Sequence, residues 1–109
     1  MTISEMKAMW LFTMFDLPVK TKDEKRNYAR FRKFLLGEGF IQLQYSVYAK
    51  FCSTRENAEK YCHYVEGAVP EKGKVRVIMV TDKQFGDMIS LYGKSVQDIE
   101  KKPEQLLLF

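Results

Sequence analysis

The sequence predicts an α+β fold in which one antiparallel sheet carries two helices on the same face. Three observations support it: an apolar strand near the start of the chain, two amphipathic helices that each begin with a capping-box pattern, and a second long apolar strand after the second helix. An alternating segment between the helices is expected to form two short strands. The resulting order of strand, helix, two strands, helix and strand is the ferredoxin-like, split βαβ arrangement.

The chain length fits one domain of this kind. The chain has 109 residues, of which 46% are hydrophobic and 14% aromatic, a composition typical of a folded globular protein. A domain of this size buries only about two thirds of its surface. Any chemistry is therefore expected at the surface or at a subunit interface. Residues 1–93 are predicted to form the ferredoxin-like domain and residues 94–109 a C-terminal tail.

The first strand is predicted at residues 9–16. Both of its alternating faces are apolar except at Thr13, which is typical of a strand in the middle of a sheet. Asp16 is its last residue. Leu17 and Pro18 follow, and the strand stops there because proline cannot donate a hydrogen bond to a neighbouring strand.

The first helix is predicted at residues 22–36. Thr21 and Glu24 have the spacing of a capping box, in which each side chain accepts a hydrogen bond from the other residue's backbone N–H. Gly37 and Gly39 are expected to supply the positive φ that ends the helix.

This helix carries a basic face. Residues 20–33 contain seven basic and two acidic side chains, in a chain whose net charge is +4. An apolar stripe of Tyr28, Phe31 and Leu35 predicts the buried side. The opposite side carries Lys22, Arg26, Arg30 and Lys33. Such a face favours a polyanionic partner such as nucleic acid, and a merely solvated helix face is the plain alternative.

The middle of the chain supplies the remaining elements. Residues 40–51 alternate and are rich in β-branched and aromatic side chains, so they predict two antiparallel strands joined by a turn at residues 44–46. Ser53 and Glu56 have capping-box spacing and predict the start of the second helix. Residues 74–82 are predicted to form the last strand of the sheet.

The C-terminal part is less regular. Residues 83–93 are expected to form a short turn of helix and a small strand. Residues 105–109 end the chain with four large apolar side chains, which predict a strand added to a sheet edge of a second copy, giving a homodimer by strand exchange. Packing of the tail within its own chain is the alternative.

Among the side chains that could take part in catalysis, the carboxylates remain as candidates. The single His63 has no Ser or Cys placed for a triad, and no Gly-rich phosphate loop occurs. With Cys52 and Cys62, this histidine is one ligand short of a structural zinc site. Asp16 is the candidate, since a charged residue closes an otherwise apolar strand. Asp82 ends its strand similarly and is expected to be structural.

Two copies of Asp16 near a two-fold axis would repel each other unless they shared a proton or a cation. Mg²⁺, or Mn²⁺ as an alternative, held by the two carboxylates could activate a water for attack on a phosphodiester. The competing interpretation is that Asp16 caps the turn that follows it.

The expected compartment is inferred from the apolar run near the start of the chain, which fits neither a signal peptide nor a membrane-spanning segment. The apolar run at residues 8–15 has no small-residue cleavage site after it and is too short to cross a bilayer. A cytoplasmic protein with reduced thiols and no membrane association is expected.

Four segments occur in consistent order between residues 9 and 93: Met14-Phe15-Asp16-Leu17-Pro18-Val19, the basic helix with the glycines after it at residues 28–40, Gln44-Tyr45-Ser46-Val47-Tyr48, and Val80-Thr81-Asp82-Lys83-Gln84-Phe85. Together they resemble the CRISPR-associated protein 2 family, most closely its members from type II systems.

The resemblance implies a ferredoxin-like homodimer with exchanged C-terminal segments. It implies that Asp16 is the catalytic, metal-binding carboxylate, contributed once by each protomer. It also implies metal-dependent endonuclease activity on single-stranded RNA or double-stranded DNA, and a role in spacer acquisition as a bridge between two dimers of the CRISPR integrase, protein 1. The nucleic-acid-binding residues that it implies are Arg26, Arg30, Arg32 and Lys33.

The expected function is therefore that of a CRISPR adaptation subunit with an endonuclease site. A purely non-catalytic DNA scaffold is the first alternative. An unrelated RNA-binding module on the same fold is the second, and residues 74–80 disfavour it because they lack the aromatic side chains of an RNA-stacking strand.

Overall fold

A computed structural model describes residues 7–93, and it has the predicted α+β class. The strands are β1 (Met9–Asp16), β2 (Ile41–Gln44), β3 (Val47–Cys52) and β4 (Lys74–Thr81). The helices are α1 (Lys22–Gly37), α2 (Arg55–Ala68) and α3 (Asp82–Gly86). The tail at residues 94–109, with its expected terminal strand, lies outside the described residues.

The four strands form one antiparallel sheet in the order β2-β3-β1-β4. This order is that of the split βαβ arrangement, and the apolar β1 occupies a central position as predicted. Residues 40–51 divide into two strands at the predicted place. The turn between them is Tyr45-Ser46, and Ser46 has a φ of 63°.

Both helices cover the same face of the sheet. The odd-numbered residues of β1 are buried there, and the core also contains Phe31 and Leu35 from α1 and Ala58 and Val65 from α2. Phe15 and Phe31 meet edge to face, with ring centroids 5.0 Å apart. The even-numbered residues of β1 point to the other face, which neither of these two helices covers.

The predicted capping box opens α1. Thr21 Oγ1 accepts a hydrogen bond from the Glu24 N–H at 3.1 Å, and the Glu24 carboxylate accepts one from the Thr21 N–H at 3.0 Å. Hydrogen bonding to the Thr21 backbone lowers the pKa of Glu24 from its ordinary value of 4.5. The local pattern therefore fixes the start of this helix.

Two helix boundaries differ from the prediction. Gly37 is the last residue of α1, and only Gly39 adopts a positive φ, because one left-handed residue suffices to turn the chain. At α2 the capping residue is Thr54 instead of Ser53. Thr54 has the extended backbone of a cap, and its hydroxyl accepts from the Asn57 N–H at 3.0 Å.

The segment after β4 also differs. Asp82 begins α3 instead of ending the strand, and Thr81 and Gln84 form a capping box that the sequence analysis missed. The small strand predicted within residues 83–93 is absent. The reason is that α3 turns onto the uncovered face, where Phe85 stacks on Trp10 with ring centroids 3.8 Å apart. None of the helices in residues 7–93 is long and apolar enough to cross a membrane.

Candidate metal and nucleic-acid sites

Asp16 lies at the exposed end of β1, on the uncovered face of the sheet. Its neighbours Phe15 and Leu17 are buried at 7% and 8% exposure and hold the backbone on either side. The Phe15 N–H also donates to the Ser46 carbonyl at 3.1 Å, which ties the β2–β3 turn to this strand end. The carboxylate is therefore presented to solvent from a well-anchored position.

Two basic residues of β4 accompany Asp16 on the same face. Lys74 is its direct partner across the antiparallel pair, and Arg76 is the partner of Met14. Both basic side chains are exposed. Gly73, with a φ of 108°, allows the close approach, since a Cβ there would lie 3.0 Å from the Asp16 carbonyl oxygen. The sequence alone does not indicate Lys74 and Arg76 as site residues, because only the strand register places them here.

The Asp16 side chain has no hydrogen bond or ion pair with any other residue in the range 7–93. The capping role that was the alternative for this residue thus has no hydrogen bond to support it among the described residues. Asp82, by contrast, is engaged as expected for a structural acid, because its Oδ1 accepts from the Trp10 indole N–H at 2.8 Å.

Asp16 would supply one carboxylate from each chain to a metal ion. No group of three or more His, Cys, Asp or Glu side chains is close enough to hold a metal among the described residues. Magnesium is commonly bound by one or two carboxylates, with waters filling the octahedron. The exposed oxygen donors of Asp16 fit that chemistry, and a second copy of Asp16 is required to complete a two-carboxylate site.

Three of the predicted basic residues share the outer side of α1. Arg26, Arg30 and Lys33 are all exposed. Arg26 lies 3.5 Å from Asp23 in an ion pair between two exposed side chains, which contributes little and leaves the guanidinium available. Arg30 lies on the flank near α2, in a shallow groove that Pro70 also lines. The predicted basic face is thus present as one surface.

Arg32 lies on the other flank of α1. Its guanidinium is close enough to the Tyr48 phenol to affect the pKa of that group. Burial raises the pKa of Tyr48, and the positive charge of Arg32 opposes that rise. The Tyr48 hydroxyl is fully buried and has no hydrogen-bond partner among the described residues. Arg32 is therefore separated from Arg26 and Lys33 and lies toward the β2–β3 turn.

The structure does not bring the acid and the basic helix face together within one chain. Asp16 is on the uncovered side of the sheet, whereas α1 packs on the covered side and directs its basic residues outward. Lys74 and Arg76 are the basic residues that share the face of Asp16.

The sequence profile of the family described as "CRISPR associated protein Cas2" matches residues 9–88 of this chain. The chain belongs to the Cas2 family. The resemblance seen in the four segments is thereby confirmed, and the match to type II members stays a prediction.

Similar proteins extend the Cas2 match over almost the whole chain. A protein of Flavobacterium psychrophilum, "CRISPR-associated endoribonuclease Cas2", is 41% identical over 107 residues, which cover 98% of this chain and 93% of the relative. A protein of the same name from Parvibaculum lavamentivorans is 46% identical over 101 residues, covering 93% of this chain and all of the relative.

A solved structure, "Crystal structure of cas2", superposes with a TM-score of 0.54 at 19% identity, over 81% of this chain and 92% of the other. At that identity the likeness supports the ferredoxin-like fold of the Cas2 family and nothing finer.

Proposed function

We propose that this Cas2-family chain is a homodimeric, nucleic-acid-binding subunit of CRISPR adaptation with a metal-dependent endonuclease site at Asp16. The observation that carries the proposal is the exposed carboxylate of Asp16, which closes an apolar central strand and has Lys74 and Arg76 on the same face. The relatives at 41% and 46% identity are named endoribonucleases, which supports phosphodiester cleavage as the chemistry.

The uncovered sheet face supports a homodimer. It exposes Phe51 at 49%, which is the β3 partner of Trp10, and Ile78 at 50%, which is the β4 partner of Phe12. An apolar surface of this kind is covered in a stable assembly. A second copy is the proposed occupant, because a two-fold axis near the Asp16 end of this face would bring the two Asp16 carboxylates toward each other. Residues 105–109 are proposed to add to the partner's sheet as an exchanged strand.

The carboxylates, the metal ion and the basic residues of the proposed site have different roles. Two Asp16 carboxylates near the axis would hold Mg²⁺, or Mn²⁺, between them, because an unshielded pair would repel. When bound there, the metal would supply Lewis-acid stabilisation and a water of lowered pKa. Lys74 and Arg76 supply positive charge that attracts the phosphodiester to the face of Asp16.

A non-catalytic scaffold is the second candidate function. The outer side of α1 carries Arg26, Arg30 and Lys33 away from Asp16, so binding of duplex phosphates there does not require the acid. In this role the dimer would hold double-stranded DNA between two dimers of the CRISPR integrase, protein 1. The thiols of Cys52 and Cys62 are both free, which suits the reducing cytoplasm where this function would take place.

Cleavage assays on the purified protein separate the two candidates. Single-stranded RNA and double-stranded DNA with 5′ labels are incubated with Mg²⁺, with Mn²⁺ or with a chelator. Cleavage is expected with metal only, and it should vanish in Asp16→Asn. Asp87→Asn is the matched control, since Asp87 is an exposed acid paired with Lys83 at 3.1 Å.

Cleavage that survives in Asp16→Asn would contradict the proposed site. A wild-type protein that binds duplex DNA and co-purifies with the integrase, yet cleaves neither substrate, would assign the scaffold function. Sedimentation velocity tests the homodimer directly, and a monomer at all concentrations would contradict both candidates.

A further inference from the structure

Tyr45 is the most exposed aromatic side chain in residues 7–93, at 75% exposure. It occupies the tip of the β2–β3 turn, where a small polar residue would complete the turn equally well. Its ring lies nearly parallel to that of Tyr28 on α1, with centroids 6.1 Å apart and an interplanar angle of 22°. One part of the ring is thus supported and most of it faces solvent.

The turn that carries Tyr45 is rigidly fixed. Ser46 has a φ of 63°, a left-handed conformation that residues with a Cβ rarely adopt and that is often found at functional sites. Its carbonyl accepts the Phe15 N–H at 3.1 Å, and its Oγ lies 3.5 Å from the Tyr28 hydroxyl. The backbone of the turn is therefore held in place before any ligand arrives, which reduces the entropy that binding would cost.

One positive charge lies on the helix flank that supports the turn. Arg32 is one helical turn after Tyr28 on α1, on the same flank, and its guanidinium lies beside Tyr48. The Tyr45 phenol adds no negative charge, since the neighbouring Tyr28 raises its pKa further above the ordinary value of 10.0.

An exposed aromatic ring supported by a helix that carries a cation is an arrangement by which proteins bind single-stranded nucleic acids, because a base stacks on the ring while a phosphate meets the positive charge. We infer that Tyr45 is a stacking site for an unpaired nucleobase, with Tyr28 as its support and Arg32 as the contact for the adjoining phosphate. This inference rests on the proposed nucleic-acid-binding function. Because the turn is hydrogen-bonded to Phe15, the bound nucleotide would lie at the same end of β1 as Asp16.

Fluorescence anisotropy with two labelled probes tests the inference: a single-stranded RNA, and a blunt DNA duplex without unpaired bases. Tyr45→Ala is expected to weaken binding of the single strand about 5- to 150-fold, the range seen when one stacking aromatic is removed, and to leave duplex binding unchanged. Tyr45→Phe, which keeps the ring, should bind the single strand like the wild type. Tyr45→Leu keeps apolar bulk without the aromatic face and should behave like Tyr45→Ala, which serves if the alanine variant fails to fold.

Tyr64→Ala is the matched control, because Tyr64 is a half-exposed tyrosine at 48% that packs edge to face on Tyr61, away from this turn. Single-strand affinity unchanged in Tyr45→Ala and Tyr45→Leu would overturn the inference, as would an equal loss on both probes. A change of sedimentation coefficient in Tyr45→Ala would also overturn it and assign the ring to a contact between protein subunits. If the wild type binds neither probe, the proposed function itself fails, which is a different result from selective failure of the Tyr45 variants.

Discussion

The salt dependence of duplex binding gives a quantitative test of the basic face on α1. The variant replaces Arg26, Arg30 and Lys33 together by alanine. All three side chains are exposed on the outer side of a helix whose core contacts come from the other side. Alanine favours the helix, so the fold is expected to persist.

The size of the effect follows from the number of contacts. Each phosphate contact contributes about 0.9 to the slope of log affinity against log salt on duplex DNA, so three contacts contribute about 2.7 per protomer. Between about 50 mM and about 200 mM salt, these contacts account for a loss of about 40-fold in wild-type affinity that the variant would not show. The exposed Arg26–Asp23 pair does not alter this expectation, because such pairs are weak.

The assay is duplex binding by anisotropy at a series of salt concentrations, with far-UV circular dichroism to verify the helix. A control variant replaces Arg55, Lys60 and Lys83 by alanine, which changes the net charge equally but removes exposed cations from α2 and α3. Equal slopes for the wild type and the α1 variant would refute the assignment of this face. Equal losses in both variants would show that net charge alone matters.

Three further predictions concern stability. Tyr48→Phe removes a buried hydroxyl that has no hydrogen-bond partner among the described residues. The free energy of unfolding in urea should therefore stay within about 1 kcal/mol of the wild-type value or rise. A larger loss would reveal a hydrogen bond to that hydroxyl. Gly73→Ala should lose about 1–2 kcal/mol or more, because φ is 108° and the new Cβ would lie 2.5 Å from Leu17 Cδ2; an unchanged urea midpoint would contradict this. The pKa of Glu24 is lowered in the folded state, so its ionised carboxylate stabilises the fold above pH 4.5. This contribution to the free energy of unfolding disappears as the pH falls through the lower pKa of the folded state. Glu24→Gln should therefore flatten the loss of stability toward acid, and urea titrations at several acidic pH values that show parallel curves for both proteins would contradict it.

Local patterns were sufficient for most of the fold. The apolar run of β1 and the Thr21–Glu24 capping box involve residues close in sequence, so their signals survive without tertiary information. Ser53 and Thr54 show the limit. Both residues can cap a helix, and the choice between them depends on turning Ala58 and Val65 toward the sheet, which is a property of the packed structure.

The candidate site was predictable only in part. The exposure of Asp16 follows from its place as the charged last residue of an otherwise apolar strand. Its neighbour Lys74 does not, because their pairing depends on the register between strands that are far apart in sequence. The position of Arg32 is a similar case. Around the helix it is only about 40° from Tyr28, which belongs to the apolar stripe. The rotation of α1 against the sheet therefore determines that Arg32 lies toward the β2–β3 turn, away from Arg26.

The single tryptophan of this chain provides an optical probe at the surface where assembly is proposed. Trp10 lies on the uncovered face of β1, with its ring flat against Phe85 and its indole N–H bonded to Asp82 at 2.8 Å. Burial of that face would move the indole into a drier environment and shift its emission toward the blue. Dilution series of the unlabelled protein can therefore follow dissociation by intrinsic fluorescence, without any added dye.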